Sequence, residues 1–173
     1  MNGSNVAPSM TRRTMRLSGL AAILVAVVID QVSKLWALAA LERGDVYALL
    51  PVFNLRLSFN HDISFSLFAE TFADRPIMLA GIALSMTALL GVLLFRSATR
   101  FEAVALGLII GGALGNVLDR LRIGAVVDFL DVHAWGYHWP AFNLADSAIV
   151  IGVMALVATL SIGNDPAPIS EDK

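Results

Sequence analysis

Phe101-Glu102-Ala103-Val104-Ala105-Leu106-Gly107-Leu108-Ile109-Ile110-Gly111-Gly112-Ala113-Leu114-Gly115-Asn116-Val117-Leu118-Asp119-Arg120 carries one charge, Glu102, until Asn116, Asp119 and Arg120 close it. Wound as a helix, a stretch of about 20 residues rises roughly 30 Å, the thickness of a bilayer's hydrocarbon core. Gly107, Gly111 and Gly115 recur every fourth residue, which lets a neighbouring helix approach closely. Three other stretches have the same character, so the spans fall at about 17–41, 76–95, 101–118 and 145–162. Pro76 opens the second, where a helix tolerates proline.

Composition agrees. The chain has 173 residues, of which 57% are apolar and 15% charged, and its mean hydropathy is +0.74. A soluble domain is about 25% charged, so a globular cytosolic enzyme is disfavoured. A net charge of −2 lacks the basic stripe of a nucleic-acid binder. With no cysteine there is no disulfide, thiolate metal site or Cys nucleophile. Arg12 and Arg13 ahead of an apolar run resemble a secretory leader, but Asp30 and Lys34 interrupt it and further spans follow. The first span therefore reads as a retained anchor.

Arg12, Arg13, Arg16, Arg96 and Arg100 flank span ends that belong on one side, the cytoplasmic one by the positive-inside rule. Both termini then lie inside and loops 42–75 and 119–144 outside, together with every Trp and Tyr. In Phe53-Asn54-Leu55-Arg56-Leu57-Ser58-Phe59-Asn60, apolar residues hold the odd positions and polar ones the even. That period of two predicts a strand with its odd positions buried, paired in a short sheet with Val126–Val132. Residues 1–11 and 164–173 read as disordered, and loop 42–75 as the part that moves to admit substrate.

Ionisable residues at membrane depth are costly, and their placement carries the functional signal. Asp30, Ser33 and Lys34 share a face near the outer end of span 1. Asn116, Asp119 and Arg120 close span 3, and Asn143 and Asp146 open span 4. With alternating directions, all three clusters meet under the outer headgroups. Each has a plainer reading: a structural ion pair for Asp30 and Lys34, interface anchors for Asp119 and Arg120, solvated loop acids for Asp128 and Asp131, and a helix-dipole charge for Asp146. The three histidines lack zinc-protease spacing, and no GxSxG elbow or P-loop occurs. Carboxylates remain. Two of them sharing one proton activate water and polarise a carbonyl. Asp146 with one of Asp119, Asp128 or Asp131 is the candidate pair, and the residues alone leave that choice open.

Four ordered motifs resemble those of the lipoprotein signal peptidase (signal peptidase II) family over residues ~17–163. They are Asp30-Gln31-Val32-Ser33-Lys34, Gly111 through Arg120, Val126-Val127-Asp128-Phe129, and Phe142-Asn143-Leu144-Ala145-Asp146. The resemblance implies an all-α integral membrane protein: a four-transmembrane-helix bundle with a small extracytoplasmic β-sheet, or cradle, between helices 1 and 2. It implies an aspartic endopeptidase of the bacterial inner membrane, working near the periplasmic face. Such an enzyme removes signal peptides from diacylglyceryl-modified prolipoproteins, cutting before the lipidated cysteine. By motif position Asp128 and Asp146 are the catalytic pair. Asn116, Arg120 and Asn143 line or orient the site, Asp30 and Lys34 support it, and Asp119 is structural, pairing locally with a basic residue. No cofactor or metal is implied. The expected partners are lipidated prolipoproteins and membrane lipid, with no nucleic acid, and a monomer is expected. Asn60 and Phe65 match the family's N-x-G-x-x-F stretch, but Asp62 stands where glycine is usual. That departure motivates one alternative, a diverged homologue with an altered substrate range. Others are a small proton-coupled transporter, with acids strung through the membrane, and a non-catalytic scaffold.

Overall fold

A computed structural model describes residues 11–61 and 76–162. The expectations for Asp62, Phe65 and the two tails fall outside these residues, except that Thr11 is described. It caps the first helix, its hydroxyl accepting from the Thr14 backbone N–H.

Helix α1 (Arg12–Ala40) leads to strands β1 (Tyr47–Leu50) and β2 (Phe53–Asn60). Helices α2 (Pro76–Arg96) and α3 (Arg100–Ile123) follow, then β3 (Val126–Ala134), β4 (Tyr137–His138) and α4 (Leu144–Ile162). Helix α3 is the hub, touching α1, α2 and α4. It starts at Thr99, whose hydroxyl accepts from the Glu102 N–H, and stops at Gly124, whose φ of +76° suits glycine.

The helices are inside out compared with those of a soluble protein. On α1, Gly19, Ala26, Asp30, Lys34 and Ala37 are buried on one face, while Leu20, Leu24, Val28 and Leu35 are exposed. Large apolar side chains also cover the outsides of α2 and α4. Such a surface is stable against lipid and not against water. Helices α1, α2 and α3 are long and apolar enough to cross a bilayer. The fourth expected span corresponds to α4, an apolar helix of 19 residues.

Small residues close the seams. A Cβ at Gly107 would strike the Gly19 carbonyl, and one at Gly111 would strike Ala26 and the Ile23 backbone. Gly112 and Gly152 play the same part between α3 and α4, against the Ala145 and Ala105 carbonyls. The small-residue pattern therefore marks helix packing.

The sheet is antiparallel in the order β1-β2-β3-β4. The predicted partnership of Phe53–Asn60 with Val126–Val132 forms, with Phe53 opposite Val132 and Asn60 opposite Val126. Two expectations need correction. The sheet does not lie only between helices 1 and 2, because β3 and β4 come from the connection between α3 and α4. The strict alternation of β2 also fails: its register slips between Leu55 and Ser58, so that Asn54 and Leu57 are both buried. Leu57 joins Val127, Phe129, Ala37 and Leu41 in an apolar core that seats the sheet on the C-terminal end of α1. An isolated bridge then ties Phe142 to Leu130, with Phe142 O accepting from the Phe129 and Leu130 N–H groups at 3.1 and 2.9 Å. It lays the residues before α4 alongside β3.

Candidate active site

The three polar clusters meet. Asp30 Oδ1 accepts the Ala145 backbone N–H at 3.0 Å, joining α1 to the first turn of α4. Lys34 Nζ donates to Asn116 Oδ1 on α3 at 2.9 Å, and Asn116 Nδ2 donates to Asp146 Oδ1 on α4 at 2.8 Å. Asn143 caps α4 reciprocally. Its Oδ1 accepts from the Asp146 N–H at 2.9 Å, while Asp146 Oδ2 accepts from the Asn143 N–H at 3.2 Å.

Of the three acids that the residues alone left open, Asp128, the one the motifs favour, shares Asn143 as a partner with Asp146. Asn143 Nδ2 donates to Asp128 Oδ1 at 2.7 Å, and Asn60 also hydrogen-bonds its carboxyl. Burial, reinforced by the Asp146 charge, pushes the Asp128 carboxyl up to about 7, against the pull of Asn143, Asn60 and Lys34. A carboxyl that holds its proton near neutrality is what one half of an acid–base pair needs.

Asp119 and Asp131 have other duties. Asp119 Oδ2 lies 2.7 Å from Lys34 Nζ and accepts the Val127 N–H at 3.2 Å. Its basic partner is thus on another helix, which corrects the expected local pairing. Asp131 accepts from Asn54 Nδ2 at 3.0 Å and bonds His138 Nδ1 at 2.9 Å. Burial alone would raise its pKa, but the bonds from His138 and Asn54 outweigh it and hold the carboxyl below the usual range. Arg120 feels the charges of Asp146, Asp128 and Asp119, in that order, and reaches its own helix at Asn116 O, 3.5 Å away.

Two features were missed in the sequence. Gln31 Nε2 lies within 3.2 Å of Asp30 Oδ2, Asp119 Oδ1 and Gly115 O, and Gln31 Oε1 accepts from Arg122 at 3.1 Å. The Asp-Gln-x-Ser-Lys motif contained this residue, but nothing in the motif gave it a partner. The second is an apolar cavity of about 580 Å³ beside the acids, walled by Trp139, Pro140, Phe142 and Val150 and reaching Asn60 and Asp146. Among the described residues no cluster of three or more His, Asp or Glu is arranged to hold a metal.

Residues 22–162 match the family profile described as signal peptidase (SPase) II. A lipoprotein signal peptidase of Rhodopseudomonas palustris is 46% identical over 152 residues, covering 84% of this chain and 92% of its own. One from Burkholderia mallei is 41% identical over 135 residues, covering 78% and 81%. Among solved structures, a bacterial membrane enzyme determined by the in meso method superposes with a TM-score of 0.76 at 28% identity, covering 90% and 94% of the two chains. Another superposes at 0.70 and 29% identity, covering 82% and 91%.

Proposed function

This chain belongs to the signal peptidase II family, and on that premise we propose that it is an aspartic endopeptidase whose reacting pair is Asp128 and Asp146. It is a bacterial membrane protease that removes signal peptides from prolipoproteins. The observation that supports the aspartic reading is the meeting of two carboxyls from different elements through the amides of Asn143 and Asn116. They are coupled strongly enough that the charge of Asp146 raises the pKa of Asp128.

The chemistry follows from those positions. Asp146 takes a proton from a water molecule as its oxygen attacks the scissile carbonyl, while protonated Asp128 donates to the carbonyl oxygen. The tetrahedral species collapses as the C–N bond breaks, and the amine nitrogen takes up the proton held by Asp146. Proton return from the second hydroxyl resets Asp128. The cavity beside Asp146 suits a lipid-modified precursor, whose diacylglyceryl chains need an apolar wall next to the cleavage point. On this reading the cut falls just before the lipidated cysteine. Four spans, with both termini cytoplasmic and the pair near the periplasmic face of the inner membrane, complete the reading. Asp30, Lys34, Asn60, Asn116, Arg120 and Asn143 shape the site, and Asp119 anchors Lys34.

A transporter would string acids along the bundle. Asp30, Asp119 and Asp146 instead share one bonded network at one end of the helices, which disfavours it. The test is cleavage of a diacylglyceryl-modified precursor by purified enzyme. Asp128→Asn and Asp146→Asn should each lose about a thousandfold or more in turnover; retention of turnover by either would refute the pairing.

A further inference from the structure

The ammonium of Lys34 is buried, with 2% of the side chain exposed, and has three N–H bonds and three acceptors. These are Asp30 Oδ2 at 2.9 Å, Asp119 Oδ2 at 2.7 Å and Asn116 Oδ1 at 2.9 Å. An ammonium only donates. The Asn116 atom facing it must therefore be the carbonyl oxygen, and the NH2 must point away, toward Asp146. Asn143 Nδ2, 3.3 Å from Asn116 Oδ1, enforces the same orientation. Turning the amide over would set its NH2 against the ammonium and against the Asn143 NH2, and its oxygen against the Asp146 carboxylate. All three contacts would become repulsive.

The consequence falls on Asp146. Its Oδ1 receives the Asn116 N–H and its Oδ2 the Asn143 backbone N–H. Both oxygens accept an N–H, an arrangement that suits a carboxylate. Behind Lys34, the Gln31 amide bridges Asp30 Oδ2 and Asp119 Oδ1, the two acids that aim it.

We propose that Gln31 and Lys34 are positioning residues for the reaction: Gln31 holds the Asp30–Asp119 pair, that pair aims Lys34, and Lys34 locks the Asn116 amide so that Asp146 stays the ionised partner and the shared proton rests on Asp128. This rests on the reading of Asp128 and Asp146 as the reacting pair. Arg120 on α3 and Asp128 on β3 are charge-coupled to Asp146, and Asp30 and Lys34 on α1 and Asp119 on α3 belong to the same bonded network.

The experiment is the pH dependence of kcat/KM on a lipidated precursor for wild type, Gln31→Met and Lys34→Met, each with and without Asn116→Ala. Weakening the lock destabilises the Asp146 carboxylate, so the acidic limb should move upward. The expected shift is about one pH unit in Lys34→Met and less in Gln31→Met. A one-unit shift is a tenfold loss on the acid side beyond any loss on the plateau. Once Asn116 is truncated, Gln31→Met should not move the limb further, and Lys34→Met should keep only the part due to its lost charge, which acts on the pair through space. A loss by the same factor at every pH, with a lowered Tm, would mean a merely structural role and overturn the proposal. Gln31→Met changes no charge, so it decides the matter if Lys34→Met fails to fold; an unmoved acidic limb in folded Gln31→Met overturns it. If Asp146→Asn retains turnover, this proposal and the underlying pair fall together. If both Asp→Asn variants are dead and the limb stays in place, only the positioning role falls.

Discussion

Asp128 sets a cost that can be measured apart from catalysis. Its carboxyl titrates near 7 in the folded protein, against 3.8 for an unperturbed aspartate. Below the lower value the group is protonated in both states and exerts no penalty. Between the two values the folded protein holds a proton that the unfolded chain has released, so stability falls as pH rises, by about 1.4 kcal/mol per unit. Above the folded value the loss is complete. About three units of separation give a penalty of the order of 4 kcal/mol at pH 8. Asp128→Asn removes it, because a neutral amide keeps an oxygen for Asn143 Nδ2 and carries no charge toward Asp146. The variant should match wild type at pH 4 and exceed it at pH 8, by about 10 °C in Tm for a chain of this size, while being inactive. Trp36, whose ring meets Phe129 edge-on at 6.5 Å, is a native reporter beside the site. Thermal unfolding in detergent micelles, followed by tryptophan fluorescence at both pH values, is the assay. If the Tm difference between the two proteins is the same at pH 4 and pH 8, or if the variant is the less stable at pH 8, the reasoning is refuted.

Three further expectations follow from the packing, the second acid of β3 and the topology. A Cβ at Gly115 would fall on the Asp30 carboxylate, whereas one at Gly91 meets nothing within 4 Å; Gly115→Ala should cost about 1–3 kcal/mol and most of the activity, and Gly91→Ala should be neutral or stabilising by up to about 1 kcal/mol, as read by Tm and turnover. Asp131→Asn should leave turnover unchanged. The depressed pKa of Asp131 stabilises the fold above the usual carboxylate range and is lost as pH falls through the folded value, so wild type should be more stable near neutrality, with the gap closing on acidification. Because the chain has no cysteine, single-cysteine variants map its topology without background: in intact cells an impermeant maleimide should label Trp135→Cys on the periplasmic side and not Ala98→Cys, and the reverse pattern would overturn the orientation.

What was legible in the sequence is what depends on period and direction. Apolar length gives the helices, and the alternating direction of the spans brings Asp30, Asn116 and Asp146 to one end. The odd–even pattern of Phe53–Asn60 gives a strand. The pattern does not reveal the bulge, because Asn54 turns inward for a tertiary reason, its bond to Asp131. Nor could it choose among Asp119, Asp128 and Asp131, which differ by partners that only the folded chain brings to them: Lys34 for the first, Asn143 for the second, Asn54 and His138 for the third. Gln31 was hidden for the same reason, since a glutamine beside an acid on a helix has no distinguishing period.

Helices alone would have been a poor way to hold the two acids. An α-helix fixes Asp146 through its capping turn, but a second helical acid at the same depth would sit across a lipid-facing seam whose closeness depends on small residues. Here the second acid comes from a strand. Asp128 rides on β3, and β3 is bonded on one edge to β2, which brings Asn60, and on the other to Phe142, one residue before the Asn143 cap of α4. The same amide that caps α4 therefore also donates to Asp128. The placement of Asp128 against the first turn of α4 rests on the β2–β3 ladder and the Phe142 bridge rather than on helix packing alone. If the two acids share a proton as proposed, the bundle would supply the low dielectric, and the sheet and its bridge the rigidity, on which that chemistry depends.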